Sequence, residues 1–408
     1  MKHGMGWMLC AGLSILLVTF TAKVPAASAQ PPYPHCKGVR MPNGSGELCK
    51  NLFTPLDPNE RTVKDLVADT ATIGDRGHTV TAYTVPGTNT GLANLKVVAN
   101  GDLIGLGGPG YRIVRITKNG HAWHIVDHFE GAGEWARDVA FADDRRWFAI
   151  GSDGRMLRSQ DGGEYWESVN RVLRLEGDDA LYGDLHYDGS GYGVAFADTA
   201  HGVAVGEGRL LRTADGGQTW TRVPFPGTGI ALQQVRFVDP AHGWAVGTQG
   251  TVLHTTDAGA HWTPVSLGDA GVHLMGLSFA SPTHGCMGGD LKVWCTVDGG
   301  TTWRASRVVL PKGMDARPDI GITRIDMRDD RQGWFVTRDG WIFSSKDGGT
   351  TWAPWLNVTA DGKLHDVELW GLAFANGMYW AAGTGARAVP EKNSASLSMR
   401  PLLLSWKP

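Results

Sequence analysis

Aspartate is the residue whose placement first suggests chemistry. It recurs in one frame, a Ser or Thr followed by Asp, Gly and Trp: Ser159/Asp161/Gly163/Trp166, Thr213/Asp215/Gly217/Trp220, Thr255/Asp257/Gly259/Trp262, Thr296/Asp298/Gly300/Trp303 and Ser345/Asp347/Gly349/Trp352. A worn copy precedes them with Lys118, Gly120 and Trp123. A carboxylate held close to a hydroxyl is a first candidate for general acid–base work. The repetition argues against it, because five aspartates in five equivalent turns do not converge on one bond. The frame instead reads as turn chemistry. The Asp accepts backbone N–H groups, the hydroxyl two residues earlier adds a bond, the Gly admits a conformation that a Cβ obstructs, and the Trp packs between sheets.

Two other chemistries deserve weighing. Glycoside hydrolysis needs two carboxylates about 5–10 Å apart. Asp178, Asp179 and Asp184 with Glu207, or Asp366 with Glu368, supply acidic residues, but no motif singles out a pair, and no catalytic residue is assigned. His201, His242 and His284 occupy equivalent places just before a Gly. Equivalent positions on successive repeats lie too far apart for one metal shell, so they read as turn residues, and no metal or cofactor is expected.

The elements that position these residues follow from the repeat. Its copies stand about 40–55 residues apart, the signature of a blade-by-blade architecture. A good copy holds four short strand candidates, as in Gln234–Val238, Gly243–Gly247, Thr251–Thr255 and Trp262–Val265, bounded by Gly, Asp and Pro turns. Units with this order begin near Arg137, Tyr192, Gln233, Met275 and Thr323, with a diverged one from about Ala93 to Trp123. A last one has strands at Leu369–Ala375 and Met378–Ala382 and a third candidate at Ala386–Val389. Its outer part is expected from Ser396–Trp406 or from the N-terminal segment, and Trp406 takes the late-blade tryptophan position in this reading. The expected fold is all-β, a single propeller of seven four-stranded blades with Asp-box turns, with six or eight blades as the alternatives. Closing a ring through a chain end removes exposed strand edges.

Composition agrees. The chain has 408 residues with 57 Gly and 17 Trp, which suits many short strands, tight turns and bulky locking residues. A formal charge of -3 lacks the basic surplus of nucleic-acid binders. Residues 1–29 read as a secretory signal: Lys2 and His3, an apolar run from Trp7 to Phe20, and small residues at Ala27-Ser28-Ala29. Residues 30–74 read as an N-terminal extension and 75–408 as the propeller. Export permits disulfides, and four cysteines lie beyond the leader in two local pairs, Cys36 with Cys49 and Cys286 with Cys295. A hairpin turning at Asp290-Leu291 sets Cys286 opposite Cys295, at a distance that either a disulfide or two unbridged side chains can occupy.

The fuller unit, seen at Gly243–Gly247, Gly208–Trp220 and Gly340–Trp352, resembles the photosystem II stability and assembly factor family over roughly residues 90–385. Its box resembles the Asp-box, or bacterial neuraminidase repeat, shared by sialidases and other propellers. The assembly-factor resemblance implies a seven-bladed propeller of the thylakoid lumen or periplasm that acts as an assembly chaperone and not as an enzyme. It implies an exported protein, periplasmic or extracellular, with a protein partner in the envelope or at a membrane surface. A glycan is the alternative ligand. A sialidase reading fails on the missing Arg-Ile-Pro motif, since Tyr111-Arg-Ile-Val-Arg lacks the proline.

Turns between second and third strands, and three long connections at Glu167–Gly191, Arg304–Ile320 and Ala353–Glu368, emerge opposite the boxes. Decorated loops on a rigid frame are the usual place for recognition. The candidate partner-binding residues there are Arg155, Tyr182, His186, Tyr187, Glu207, Arg209, Lys292, Arg317, Arg338 and His365. Arg145/Arg146 and Arg328/Arg331, in first-to-second strand turns, are a candidate basic patch on the box face, with ordinary solvated surface as the alternative.

Overall fold

In the fourth repeat, Leu232–Phe237, Gly243–Gly247, Val252–Thr255 and Thr263–Pro264 are consecutive antiparallel strands. Apolar side chains fill both faces of the second strand, all of whose residues are buried, because each sheet is covered by a neighbour on either side. The computed structural model describes residues 64–75, 78–85, 91–108, 112–126, 135–151, 156–168, 193–227, 229–312, 314, 321–387 and 400–408. In it the same unit occurs as seven sheets. Inner strands Leu92–Val97, Ala136–Phe141, Gly193–Phe196, Leu232–Phe237, Gly276–Phe279, Ile322–Met327 and Leu364–Ala375 pack each against the next, and the last returns to the first. The fold is therefore a closed seven-bladed propeller, numbered here as blades one to seven in that order.

Four blades have four strands, and three have a fifth. Blade one gains Lys64–Asp65 at its outer edge, antiparallel to His121–Val126. Blade six gains Arg307–Val308, parallel to Thr351–Asn357, from the long connection that precedes it. Blade seven joins both chain ends. Its third strand is Arg400–Trp406, its fourth is His78–Thr84 and its fifth is Val67–Asp75. The expected third strand at Ala386–Val389 is corrected: Ala386 and Arg387 end the second strand, Met378–Arg387, paired to His365 and Leu364. The connection Ala353–Glu368 is largely strand as well, folding Leu364 and Val367 into the core with Val80 and Leu402. Trp406 is also corrected. It lies on the third strand opposite Tyr379, the place of Thr255 opposite Gly243, and the pair equivalent to Trp244 opposite His254 is Trp380 opposite Ser405.

That cross-strand position builds the joints between blades. From blade two to blade seven it holds Phe148/Arg158, Val203/Arg212, Trp244/His254, Cys286/Cys295, Trp334/Ser344 and Trp380/Ser405. The following blade's box glycine rests on it. A Cβ added at Gly217 would collide with Phe148, at Gly259 with Val203, at Gly300 with Trp244 and at Gly349 with both cysteine sulfurs. These glycines also have φ of +84°, +81°, +85° and +83°, so close approach and left-handed backbone both demand glycine there.

Each box uses its carboxylate locally. Thr255 Oγ1 donates to Asp257 Oδ1 at 2.9 Å, Gly259 N donates to Thr255 Oγ1 at 3.0 Å and His261 N donates to Asp257 Oδ1 at 2.9 Å. The same three bonds recur around Asp161, Asp215, Asp298 and Asp347. Burial pushes the Asp257 carboxyl upward, but the His261 backbone N–H, the His261 ring and the Thr255 hydroxyl outweigh it and hold it down at about 2. The sign follows: the lowered pKa contributes stability above the ordinary carboxylate range, and that stability is lost as pH falls toward 2. Asp257→Ala is expected to cost about 1–2 kcal/mol in urea unfolding at pH 7, because the turn donors lose their acceptor on an exposed hairpin. The penalty should shrink toward pH 2, and a penalty constant from pH 7 to pH 2 would contradict this role.

Candidate functional site

Five inner strands share one irregularity. Register shifts fall between Leu92/Asn94, Ala136/Asp138, Leu232/Gln234, Ile322/Arg324 and Leu369/Gly371. A bulge at the same place in successive blades re-aims the following side chains. Matching each inner strand to its second strand gives an upper tier of Asn94, Asp138, Gly193, Gln234, Gly276, Arg324 and Gly371. Two residues on, a lower tier holds Lys96, Ala140, Ala195, Arg236, Ser278, Asp326 and Ala373.

The two tiers line the axis. Arg324 Nε of blade six donates to Asn94 Oδ1 of blade one at 3.4 Å, past blade seven, and such a contact is possible only at the centre of the ring. Arg324 Nη1 also donates to Thr323 O at 2.7 Å. Asp138 is fully engaged: Lys96 Nζ lies 2.8 Å from its Oδ1, Asn94 Nδ2 donates to the same oxygen at 3.0 Å, and Val194 N donates to Oδ2 at 3.1 Å. Asp138 therefore braces blades one, two and three. Arg236 and Asp326 make no hydrogen bond or ion pair with any described residue.

Charge in this confined space moves the titrations. Burial, then the Arg236 charge, lowers Lys96 to about 8 against the pull of Asp138. Burial lowers Arg324 to about 10, opposed by Asp138 and assisted by Arg236 and Arg137. Burial raises Asp326 to about 6, and the Arg236 charge restrains the rise. Burial also pushes Asp138 upward, but Lys96 and Arg236 outweigh it and hold it low. The axis thus carries three cations, one engaged carboxylate and one carboxyl that titrates near neutrality.

The rim residues lie apart from this centre and from one another. Glu207 and Arg209 flank the second-to-third strand turn of blade three, with Gly208 N bonded to Ile230 O. Lys292 on blade five pairs with Asp269 at 2.6 Å, and His365 on blade seven is exposed. The guanidinium of Arg338 lies 4.5 Å from the ring centre of Trp370, the bulge residue of blade seven, whose indole N–H donates to Glu368 Oε2 at 3.3 Å. No hydrogen bond or ion pair joins any two of these five among the described residues. Arg155, Tyr182, His186, Tyr187, Arg317, Cys36, Cys49 and the leader lie outside the described residues. On the box face, Arg146 pairs with Asp143 at 2.7 Å and Arg328 lies over Phe374 at 4.9 Å.

Two of the three turn histidines bond within their own turn, and the third reaches the box of the next blade. Nδ1 of His201 and of His242 lie 2.8 Å from Asp198 and Asp239 Oδ2, and His284 Nε2 lies 2.9 Å from Gly348 O. Among the described residues no group of His, Cys, Asp and Glu has the geometry to hold a metal ion, and no helix is long and apolar enough to cross a membrane. Cys286 and Cys295 form a disulfide with Cα atoms 4.1 Å apart, which resolves the alternative left by the sequence.

The axial cluster is what the sequence reading missed. Its signal was present: the residues one and three places past the bulge residue, counted back from the second-strand pairing in each repeat. Read singly, Lys96, Arg236 and Arg324 are ordinary charged residues in alternating strands. Only alignment of the repeats stacks them.

The model of the family described as Photosynthesis system II assembly factor YCF48 matches residues 182–271, which hold blades three and four. No curated protein matches the sequence. Among solved structures, YCF48 from Cyanidioschyzon merolae is similar at 18% identity over 81% of this chain and 98% of that one, with a TM-score of 0.52. A catalytically inactive virginiamycin B lyase from Staphylococcus aureus reaches a TM-score of 0.59 at 11% identity, over 80% of this chain and 99% of that one. A xyloglucanase from Xanthomonas campestris reaches 0.56 at 16% identity, over 84% of this chain and 55% of that one. Likeness at such identities establishes the propeller fold alone, and propellers carry many functions.

Proposed function

We propose that the protein is an exported, non-enzymatic propeller that holds a protein partner, in the manner of an assembly factor, on the face opposite its Asp-boxes. The observation that carries this reading is the sequence match of blades three and four to the assembly-factor family model. The matched stretch includes Tyr182, His186 and Tyr187 of the first long connection and the Glu207–Arg209 turn. Aromatic residues and arginines at a rim are the side chains that anchor protein interfaces. In this reading residues 1–29 act as a leader, the extension that follows it gives the outer strands Lys64–Asp65 and Val67–Asp75 to the propeller, and the chain works in the periplasm or outside the cell. A photosystem client additionally requires a phototrophic host.

Crosslinking in native envelopes tests this. A reproducible trapped protein, lost when Arg209 and Arg338 are both replaced by Glu, is the expected result. Absence of any reproducible partner counts against the proposal.

A second reading, glycan binding or glycoside hydrolysis, has its own observation. Trp370 is a half-buried indole beside the Glu368 carboxylate and under Arg338, a mixture of apolar surface and few polar groups of the sort that ligand sites use. The xyloglucanase likeness is one of fold and adds no residue to this pairing. Turnover on a glycan panel that disappears in Glu368→Gln would replace the protein-binding proposal with this one.

A further inference from the structure

The axial cluster lies outside the rim surface that the partner-binding reading uses. Two of its groups lack partners that their chemistry demands. Arg236 is a half-buried guanidinium with no acceptor among the described residues. Gln234, only 4% exposed, has no hydrogen-bond partner for its side-chain amide, and its Oε1 is fully buried. Buried polar groups are normally satisfied by protein, water or ligand. Lys96 and Arg324 stand around the same axis, and the single fully engaged carboxylate there, Asp138, already serves Lys96, Asn94 and Val194. Small residues complete the ring at Gly193, Gly276, Gly371, Ala140, Ala195 and Ala373, so the other blades add no further charge to these two tiers.

We propose that the axial cluster binds a small oxyanion, a carboxylate or phosphate group, gripped by the Arg236 guanidinium with Lys96, Arg324 and the Gln234 amide around it. A planar guanidinium presents paired N–H donors that match two oxygens of such a group. Asp326, on the same tier as Arg236, makes the binding proton-linked. Its carboxyl, held up near 6, repels an anion when ionised and donates to it when protonated. The other charges facing the site, Lys96, Arg137, Asp138 and Arg324, change little between pH 5 and 7, and the Tyr379 hydroxyl near Asp326 is pushed further from titration. Affinity therefore rises as pH falls through 6 and declines again above 8, where Lys96 loses its proton.

Calorimetric titration of the full chain with inorganic phosphate, and separately with acetate, tests this at matched ionic strength in chloride. Saturable binding of at least one oxyanion is expected; acetate, which unlike phosphate stays ionised across this window, carries the pH arm and should bind about threefold or more tighter at pH 5.5 than at pH 7.5, with proton uptake seen by comparing buffers of different ionisation enthalpy. Arg236→Gln should weaken it about tenfold or more, the factor that corresponds to about 1.4 kcal/mol. Asp326→Asn should keep binding and remove the pH dependence between 5.5 and 7.5. No saturation by either oxyanion beyond that of chloride overturns the proposal, as does wild-type binding without proton uptake. Because proton uptake is read on the unmodified chain, the test survives a variant that fails to fold. Failure here leaves the rim reading standing, since the crosslinking variants do not touch the axis.

Discussion

Trp166→Ala is expected to lower unfolding stability by about 3–5 kcal/mol, the range for removing a large buried aromatic. Trp166 is completely buried, sits edge-on to Trp147 with ring centroids 6.4 Å apart, and packs with Leu157, Ile113 and Ala136. Its indole N–H also donates to Gly163 O at 3.0 Å, so the side chain ties its own box shut. Trp262 repeats that bond to Gly259 O at 3.1 Å. Trp220, Trp303 and Trp352 do not, and their indole N–H groups have no partner among the described residues. A Trp→Phe series separates packing from hydrogen bonding. At Trp166 the change strands Gly163 O and should cost about 1 kcal/mol more than at Trp220, where no bond is lost. Chemical denaturation of Trp166→Ala, Trp166→Phe and Trp220→Phe measures both contrasts. Equal costs for Phe at Trp166 and Trp220 would sink the claim that the indole bond contributes.

The difference among boxes shows how far sequence carries. The frame predicts the turn, because Asp, Gly and a hydroxyl at those offsets have one economical arrangement, and all five adopt it. The closed ring is equally legible, because a repeat that cannot bury its faces alone must stack and close, while the choice of seven blades over six or eight is made by the sheets themselves. What the frame does not encode is which indole finds a carbonyl, since that depends on sub-ångström placement against the preceding blade. The ends were harder. Trp406 matched the spacing of a box tryptophan but serves as a third-strand residue, because His78–Thr84 from the other chain end supplies the next strand. Short-range pattern cannot tell a strand completed locally from one completed by a segment more than three hundred residues away.

The axial cluster was illegible for a different reason. Rim residues announce themselves by being polar in loops. Arg236 and Asp326 are polar in strands, where alternation alone assigns them to a solvated face. Closure of the ring turns that face inward. Their chemistry is then set by neighbours from other blades, Arg324 beside Asn94 and Lys96 beside Asp138, and no window of a single repeat contains such a pair.

Removing the disulfide as Cys286→Ala with Cys295→Ala is expected to cost about 2–4 kcal/mol, within the usual range for a native cross-link. Two contributions have different origins. The bond closes a short hairpin loop, with a sequence separation of 9, and so restricts the unfolded chain. The sulfurs also form the surface on which Gly349, the box glycine of blade six, rests. The equivalent surface elsewhere is Phe148, Val203 with Arg212, or Trp244 stacked 4.1 Å from His254. Blade five has met the same packing requirement with a disulfide in place of an aromatic pair. That equivalence gives a clean comparison. Replacing both cysteines by Val refills the joint without the cross-link, as Val203 does under Gly259, and should recover about 1–2 kcal/mol of the loss seen with Ala. The residual deficit of the Val pair reports the cross-link, and the gap between the Val and Ala pairs reports the platform. Reducing the wild-type protein keeps both sulfurs in place, so its loss should fall near that of the Val pair. Ala and Val pairs of equal stability would assign the whole effect to the chain restriction and remove Gly349 from the account.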